Sequence, residues 1–268
     1  SNRNQLHEHK NRCVSSLLRK DMTPSCHVRK VVYPRIFLFG DSLTQRSQSE
    51  EGCWGSLVAE AFERRCDVVV RGFSGYNTRM CKYVLPRIFG PEDASSVAAF
   101  VIFLGANDCS EPTDHGAQNV PLKEFISNLE EMLQHLKVCG VPMNKVILLT
   151  PPPYCDEKWV AWCRKTGRDL ARRNLETVSR YVDAVSKLGE EQHVKVIDIF
   201  AAFQQEQNWQ RLLLDGLHLS KPGSQKLAKC LVPLLEQAVG PVPAIFPDWK
   251  CIDPADPESS IASWTPDR

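Results

Sequence analysis

The sequence lacks several features that mark whole classes of protein. No apolar run approaches the roughly 18 residues that a membrane-spanning helix needs, and the composition is neither collagen-like nor of low complexity. Opposite charges nearly cancel, with 33 Lys and Arg against 32 Asp and Glu in 268 residues. The chain therefore lacks the excess of positive charge that is typical of proteins that bind nucleic acid or an anionic membrane. We therefore expect a globular protein with no membrane span and no nucleic-acid partner.

Motifs for metal and nucleotide chemistry are missing as well. The chain has no Cys-x-x-Cys, no His-x-x-x-His and no carboxylate cluster, which argues against a metal site. No Gly-x-Gly-x-x-Gly follows the first predicted strand, which argues against a dinucleotide. The sequence thus argues against both a metal site and a dinucleotide site.

Cysteine, by contrast, is abundant. Eleven cysteines are scattered along the chain, several of them inside apolar runs. Reduced cysteines in such runs pack as small hydrophobic residues, and a reducing compartment keeps them in that state. The pattern favours a cytoplasmic protein. The alternative is a secreted, disulfide-linked enzyme, for which the sequence shows no signal peptide.

Charge is unevenly distributed between the N-terminal segment and the rest of the chain. Residues 1–30 hold seven Lys and Arg against two acids, a net charge of +5, so the remainder carries −4. Apolar residues at helical spacing leave open a mitochondrial transit-like segment, whereas the two acids argue against it. We expect residues 1–34 to form a flexible extension.

From residue 35 onward, short apolar runs alternate with amphipathic stretches, which is typical of a parallel sheet whose strands are joined by helices. For five strands the default is a doubly wound, flavodoxin-like α/β/α sandwich with right-handed crossovers. We expect one domain over residues 35–240 and a Pro-rich acidic tail over residues 241–268 that extends along the surface of that domain. The sequence leaves open whether the protein forms a homodimer through this tail. The predicted strands are Ile36–Gly40, Asp67–Phe73, Val97–Leu104, Lys145–Thr150 and Val194–Phe200, and the predicted helices are Trp54–Arg65, Thr78–Ile88, Leu122–Val138, residues 157–188 and Pro222–Val239.

Polar residues gather where the predicted strands end, which is where sites form in open α/β sheets. Ser42 follows the first strand, Gly75 the second and Asn107 the third, while Asp215 and His218 follow the fifth. A serine becomes a nucleophile when a histidine removes its proton, and an acid must hold that histidine in one tautomer. Asp215 and His218 are three residues apart, so a single turn can place carboxylate and imidazole side by side.

Acyl transfer also needs hydrogen-bond donors that point at the oxygen on which negative charge develops. The candidates are the backbone N–H groups of Ser42 and Gly75 and the side-chain amide of Asn107. A glycine at position 75 additionally allows close approach of the backbone, where a Cβ would obstruct.

Four segments together resemble the SGNH (GDSL-type) hydrolase family. Each lies at a predicted strand end, and they occur in the family's order between about residue 35 and residue 240. The fuller runs Phe-Gly-Asp-Ser-Leu-Thr-Gln and Gly-Phe-Ser-Gly-Tyr-Asn-Thr-Arg are most similar to the isoamyl acetate-hydrolysing esterase group of that family. The segments are Gly-Asp-Ser-Leu-Thr at 40–44, Ser-Gly-Tyr-Asn-Thr at 74–78, Gly-Ala-Asn-Asp at 105–108 and Asp-Gly-Leu-His-Leu at 215–219.

This resemblance implies a role for each matched residue. Ser42 would be the nucleophile, His218 the base and Asp215 the group that orients it, with Gly75 and Asn107 as oxyanion donors. It also implies a flavodoxin-like fold, no cofactor, and short-chain esters as substrates with water as co-substrate. Nothing is implied for residues before position 35.

Five further side chains near these segments have two interpretations each. Tyr76, Tyr154 and Trp209 are expected to line the acyl or alcohol pocket, although buried packing explains each equally well. Arg79 either contacts a polar substrate group or pairs with an acid. Cys109 lies next to the site, where oxidation would matter, but nothing in the sequence marks it as activated.

Alternative assignments remain open at this point. Ser74 is the second candidate nucleophile, and His115 rivals His218 but has no aspartate at matching spacing. Asp41 is expected to brace the nucleophile turn, and Asp108 to be structural. For the whole protein, the alternatives to a short-chain serine esterase are a lysophospholipase, thioesterase or sugar O-deacetylase of the same fold, or a non-catalytic binding protein.

Overall fold

The computed structural model describes residues 30–111, 118–167 and 172–264. In this part of the chain, five parallel strands form one sheet, and all four neighbouring pairs run parallel. The strands are β1 (Arg35–Gly40), β2 (Asp67–Gly72), β3 (Val97–Phe103), β4 (Val146–Leu149) and β5 (Lys195–Ile197). Their order in the sheet is β2-β1-β3-β4-β5, which confirms the predicted flavodoxin-like topology.

Helices cover both faces of this sheet. In the described residues they are α1 (Ser42–Gln45), α2 (Trp54–Ala61), α3 (Thr78–Ile88), α4 (Pro91–Ala94), α5 (Leu122–Val138), α6 (Asp156–Thr166), α7 (Leu175–Gln192), α8 (Ile199–Gln204), α9 (Lys221–Val239) and α10 (Pro257–Ala262). Helix α2 packs against α9, while α5 packs against both α3 and α7. The three-layer α/β/α architecture expected from the sequence is therefore confirmed.

The centre of the core lies between β1 and β3. Every residue of β3 is buried, because helices cover the sheet on both sides. Three aromatic rings meet here with centroid separations of 5.2 to 5.5 Å: Phe37 of β1, Phe100 of β3 and Phe89. This packing fixes the strands whose carboxyl ends carry the polar loops.

The fifth strand is shorter than predicted. The apolar run over Val194–Phe200 indicates a strand throughout, but β5 ends at Ile197 and α8 begins at Ile199. Asp198 causes the change, because its carboxylate accepts the N–H of Ala201 at 2.9 Å and so caps the new helix. Capping at Asp198 therefore prevails over the β propensity of the apolar residues around it.

The prediction of one long helix over residues 157–188 is wrong. Helix α6 ends at Thr166 and is followed by Gly167, which adopts a left-handed conformation with φ +67°, and α7 begins after Asn174. The Asn174 side chain accepts the N–H of Thr177 at 2.7 Å and caps α7. The break places Arg173 between the helices, where it is buried, and not on a helical surface.

The tail beyond α9 is attached to the turn between α2 and β2. Arg64 donates to the carbonyls of Ile245, Phe246 and Pro247, and its own carbonyl accepts the N–H of Ile245. The tail contains a short 3₁₀ helix, Trp249–Cys251, and α10, whereas the sequence predicted an extended segment. The prediction for residues 1–34 falls almost wholly outside the described residues. No described helix is long and apolar enough to cross a membrane.

Candidate active site

Ser42 opens α1, two residues after the end of β1, which lies between β2 and β3 in the sheet. The preceding residue, Asp41, braces this turn as predicted, because its Oδ1 accepts the N–H of Leu43 at 2.8 Å. Its Oδ2 is buried without a partner in the described part of the chain. Burial raises the pKa of Asp41 to about 7, although the Leu43 N–H opposes the rise.

Asp215 and His218 face each other across one tight turn. Asp215 Oδ1 accepts the N–H groups of Leu217 at 3.0 Å and His218 at 2.8 Å, while Oδ2 lies 2.7 Å from His218 Nδ1. Both side chains are buried. Burial alone would raise the pKa of Asp215, but the imidazole and the two main-chain N–H groups outweigh it and hold the pKa below its ordinary value. The carboxylate is therefore ionised at neutral pH.

The other imidazole nitrogen faces the serine. Nε2 of His218 lies 2.9 Å from Oγ of Ser42. The structure thus joins Ser42, His218 and Asp215 in one hydrogen-bonded chain. An arrangement of this kind can remove the proton of a hydroxyl while the carboxylate stabilises the resulting imidazolium.

Gly75 lies in the loop after β2 with φ +82°. A Cβ added there would meet only the Nε2 of Gln118, at 3.5 Å, which is an ordinary contact. Among the described contacts, the positive φ is therefore what favours glycine at this position. Gln118 Nε2 donates to the Gly75 carbonyl at 3.1 Å, and the N–H groups of Gly75 and Ser42 have no acceptor among the described residues.

Asn107 connects the loops that follow β2 and β3. Its Nδ2 donates to the Tyr76 carbonyl at 2.8 Å, and its Oδ1 accepts from Arg173 Nη2 at 3.3 Å. The residue is only 4% exposed. In the described part of the chain its second amide N–H has no acceptor, which leaves one donor available to a ligand.

Asp108, predicted to be structural, anchors α3. Its Oδ1 accepts both the N–H of Thr78 at 2.9 Å and the Thr78 hydroxyl at 2.5 Å. Burial raises the pKa of Asp108 to about 6, against the opposing effect of these two bonds. The proximity of Asp108 in turn contributes to the raised pKa of Asp41.

A cavity of about 340 Å³ adjoins Ser42 and His218. Its wall includes Arg46, Glu50 and Leu214, so it combines charged and apolar surface. Tyr76, Tyr154 and Trp209, predicted to line the substrate pocket, are not among its wall residues.

These three aromatic residues have different surroundings. Tyr76 is 38% exposed beside Gly75. Tyr154 is 2% exposed, and its hydroxyl donates to Asp156 at 3.0 Å. Trp209 is partly buried at the start of a 3₁₀ helix and packs against the core.

Arg79, for which two interpretations were open, forms two hydrogen bonds to Glu124, at 2.5 and 2.6 Å, and so pairs with an acid. Ser74 is exposed, and its N–H donates to Gln45 at 2.7 Å. Cys109 is buried, and burial raises its pKa to about 12, which disfavours a reactive thiolate. His115 lies outside the described residues.

Sequence reasoning missed Gln118 and Arg173. The stop at Gly167 and the cap at Asn174 were readable signals that Arg173 lies in a linker, whereas no local pattern marks Gln118. In the described residues no group of three or more His, Cys, Asp or Glu is placed to hold a metal ion.

Residues 38–226, more than half of the chain, match the sequence profile of the GDSL-like lipase/acylhydrolase family. The chain belongs to this family, in agreement with the resemblance that its four segments indicate.

Named relatives extend the match over most of the sequence. The mouse (Mus musculus) isoamyl acetate-hydrolyzing esterase 1 homolog is 42% identical over 234 residues, covering 86% of this chain and 93% of that protein. A GDSL esterase/lipase of Arabidopsis thaliana is 38% identical over 239 residues, covering 86% and 97%. The crystal structure of the lipase/acylhydrolase from Enterococcus faecalis has a TM-score of 0.61 at 25% identity, covering 78% and 99%. The protein is a carboxylic ester hydrolase.

Proposed function

We propose that the protein is a serine esterase that hydrolyses short-chain, acetate-type esters through an acyl-enzyme on Ser42. The observation that carries this proposal is the hydrogen-bonded chain from Asp215 Oδ2 through both nitrogens of His218 to Ser42 Oγ. Each neighbouring pair is within 2.9 Å, the distance that proton transfer requires.

In the first half of the reaction, Ser42 Oγ attacks the ester carbonyl while His218 Nε2 takes the hydroxyl proton. The N–H groups of Ser42 and Gly75 and the free amide N–H of Asn107 donate to the oxyanion. The tetrahedral intermediate collapses, the bond to the alcohol breaks, and His218 returns its proton to the leaving oxygen.

In the second half, water attacks the acyl-enzyme. His218 removes a proton from that water, the bond between the acyl carbon and Ser42 Oγ breaks, and the proton passes to Oγ as the acid departs. Asp215 stays ionised throughout and stabilises the imidazolium that forms in each half.

Two observations support a small acyl group. The cavity beside Ser42 measures about 340 Å³, near the lower end of the roughly 300–1,000 Å³ that small-molecule sites occupy. The mouse relative carries a name that refers to hydrolysis of isoamyl acetate. Of the three predicted pocket aromatics, we propose substrate contact for Tyr76, whose ring is exposed beside Gly75.

The remaining predictions concern organisation and location. We propose residues 35–240 as the catalytic domain, with residues 1–34 and 241–268 as extensions. Cys66, Cys81, Cys109 and Cys139 are buried free thiols, which supports a reducing, cytoplasmic location.

The kinetic test compares wild type with Ser42→Ala on p-nitrophenyl esters from acetate to palmitate and on an acetylated sugar. Ser42→Ala should lower kcat by roughly 10⁴ to 10⁶. Ser47→Ala, which also alters a buried serine of this segment, is the control and should retain activity. Preference for palmitate over acetate, or for the acetylated sugar, would overturn the substrate assignment, and activity in Ser42→Ala would overturn the mechanism.

A further inference from the structure

A buried arginine lies against the third polar loop. Arg173 is 3% exposed and comes from the linker between α6 and α7. Its Nε donates to the Ala106 carbonyl at 2.5 Å, and its Nη2 donates to Asn107 Oδ1 at 3.3 Å. One guanidinium therefore holds both the backbone and the side chain of the segment that carries Asn107.

These contacts select one orientation of the Asn107 amide. Exchanging its oxygen and nitrogen leaves the amide shape almost unchanged, so only hydrogen-bond partners distinguish the two orientations. Arg173 can only donate, and the Tyr76 carbonyl can only accept. Oδ1 must therefore face Arg173 and Nδ2 must face Tyr76, as the structure shows.

With that orientation fixed, the second N–H of Asn107 is held in one direction. A flipped amide would place its NH₂ against the guanidinium and its oxygen against the Tyr76 carbonyl, two repulsive contacts. Because Arg173 carries a full charge, its bond to Oδ1 is charge-assisted and polarises the whole amide.

The surroundings of Arg173 make a buried cation tolerable at this point. The guanidinium carbon lies 5.9 Å from the ring centroid of Tyr154 and 5.7 Å from that of Trp159, within the range of cation–π attraction. The Trp159 ring in turn lies 6.3 Å from the imidazole of His218. Arg173 also lowers the pKa of buried Asp41, partly offsetting the effect of burial. The cation thus lies against the Asn107 loop and two aromatic rings.

We propose that Arg173 is a positioning residue, which fixes the Asn107 amide so that its free N–H donates to the oxyanion. The inference rests on the proposed role of Asn107. Since the oxyanion exists only in the transition state and the tetrahedral intermediate, loss of this positioning lowers kcat and leaves KM nearly unchanged.

The test is a double-mutant cycle on p-nitrophenyl acetate, with Arg173→Gln and Arg173→Lys in the wild-type and Asn107→Ala backgrounds. Arg173→Gln should lower kcat roughly 10- to 100-fold with KM within about threefold. Arg173→Lys should recover part of the loss, because it keeps the charge but not the planar fork. In the Asn107→Ala background, Arg173→Gln should cost less than about twofold, because the amide through which it acts is gone.

Arg65→Gln is the matched control. Arg65 also bonds a main-chain carbonyl and a side chain, those of Ala61 and Glu236, but it precedes the amino end of β2, an edge strand. The Arg65→Gln variant should retain the kcat of the wild-type protein. Thermal unfolding and near-ultraviolet circular dichroism verify folding, and Arg173→Lys, which keeps the buried cation, decides the result if Arg173→Gln does not fold.

Three results would overturn the role of Arg173: an unchanged kcat in Arg173→Lys and Arg173→Gln, an equal loss in the Asn107→Ala background, or an effect confined to KM. Failure of the proposed function looks different. In that case Asn107→Ala itself would retain full kcat, or Ser42→Ala would remain active.

Discussion

Nε2 of His218 lies 2.9 Å from Oγ of Ser42, although 176 residues of sequence separate them. Strand β1, which lies between β2 and β3 in the sheet, leads into the serine, and the turn that precedes α9 carries the histidine. The local sequence around either residue does not predict this contact. The parallel sheet, whose strand ends share one edge, is what brings the two side chains together.

The bond between Asp215 and His218 predicts the result of an isosteric change. Asp215→Asn can still accept the N–H groups of Leu217 and His218, but it no longer holds Nδ1–H with a negative charge. We expect kcat to fall by about 10⁴ with the fold intact, since the imidazole loses its preferred tautomer. Steady-state kinetics on p-nitrophenyl acetate, with circular dichroism, measures this.

A matched control for that change is Asp198→Asn. Asp198 also accepts a main-chain N–H, that of Ala201, at the start of a short helix. It should keep kcat near the wild-type value. Comparable losses in both variants would mean that Asp215 acts through local folding and not through His218.

Gly75 has a positive φ, so its substitution can affect both stability and catalysis, and a second glycine with positive φ serves to distinguish the two effects. Gly75→Ala introduces strain at φ +82° and should cost about 1 kcal/mol of stability. Gly167→Ala adds similar strain at φ +67°, where no atom lies within 4 Å of the new Cβ. Both should unfold at lower denaturant concentration, but only Gly75→Ala should reduce kcat. Equal kcat in the two variants would remove Gly75 from the oxyanion site.

The raised pKa of Asp41 predicts how stability depends on pH. Its pKa is about 7 in the folded chain against 3.8 for an ordinary aspartate, so between these values the folded state binds more protons than the unfolded state. Stability from this group is therefore complete below about pH 4 and lost as pH rises toward 7. In Asp41→Asn the free energy of unfolding should decrease less steeply with rising pH, by up to about 1.4 kcal/mol per pH unit.

Urea unfolding of both proteins at several pH values checks this expectation. A slope in Asp41→Asn equal to that of wild type would show that Asp41 is already ionised when folded. Asp108, whose pKa is raised to about 6, supplies a residual slope in the same direction.

Thiol reactivity should follow burial. Cys251 is exposed, whereas Cys81, Cys109 and Cys163 are buried. In the native protein, iodoacetamide should modify Cys251 first and leave Cys109 unmodified until the chain is unfolded in urea, because burial removes both access and the thiolate. Peptide mapping by mass spectrometry at successive times gives the order. Early modification of Cys109 would contradict its burial.

Much of the fold was predictable because each element carries its own pattern. Helices Thr78–Ile88 and Leu122–Val138 have the predicted bounds, and the apolar strands indicated a sheet covered on both faces. The break between α6 and α7 was missed because the segments on both sides have helical periodicity. Periodicity detects a helix but not a linker inside it, and the stop at Gly167 was the better signal.

Some residues of the candidate site were likewise predictable from the sequence, and others were not. Ser42 and Asn107 lie in loops at predicted strand ends, so topology was enough to bring them to one end of the sheet. His218 comes after the predicted fifth strand, but α8 and a 3₁₀ helix lie between that strand and the histidine. Gln118 contacts Gly75 from 43 residues away, and Arg173 contacts Asn107 from 66 residues away. Both are long-range contacts from segments without regular structure, which no local pattern encodes.

The central claim is that Ser42 is the nucleophile. Its most direct test is labelling with a fluorophosphonate probe followed by peptide mapping, on wild type, Ser42→Ala and Ser74→Ala. The account predicts one adduct, on Ser42, in wild type and in Ser74→Ala, and no labelling of Ser42→Ala. An adduct on any other residue, or labelling that persists in Ser42→Ala, would contradict it.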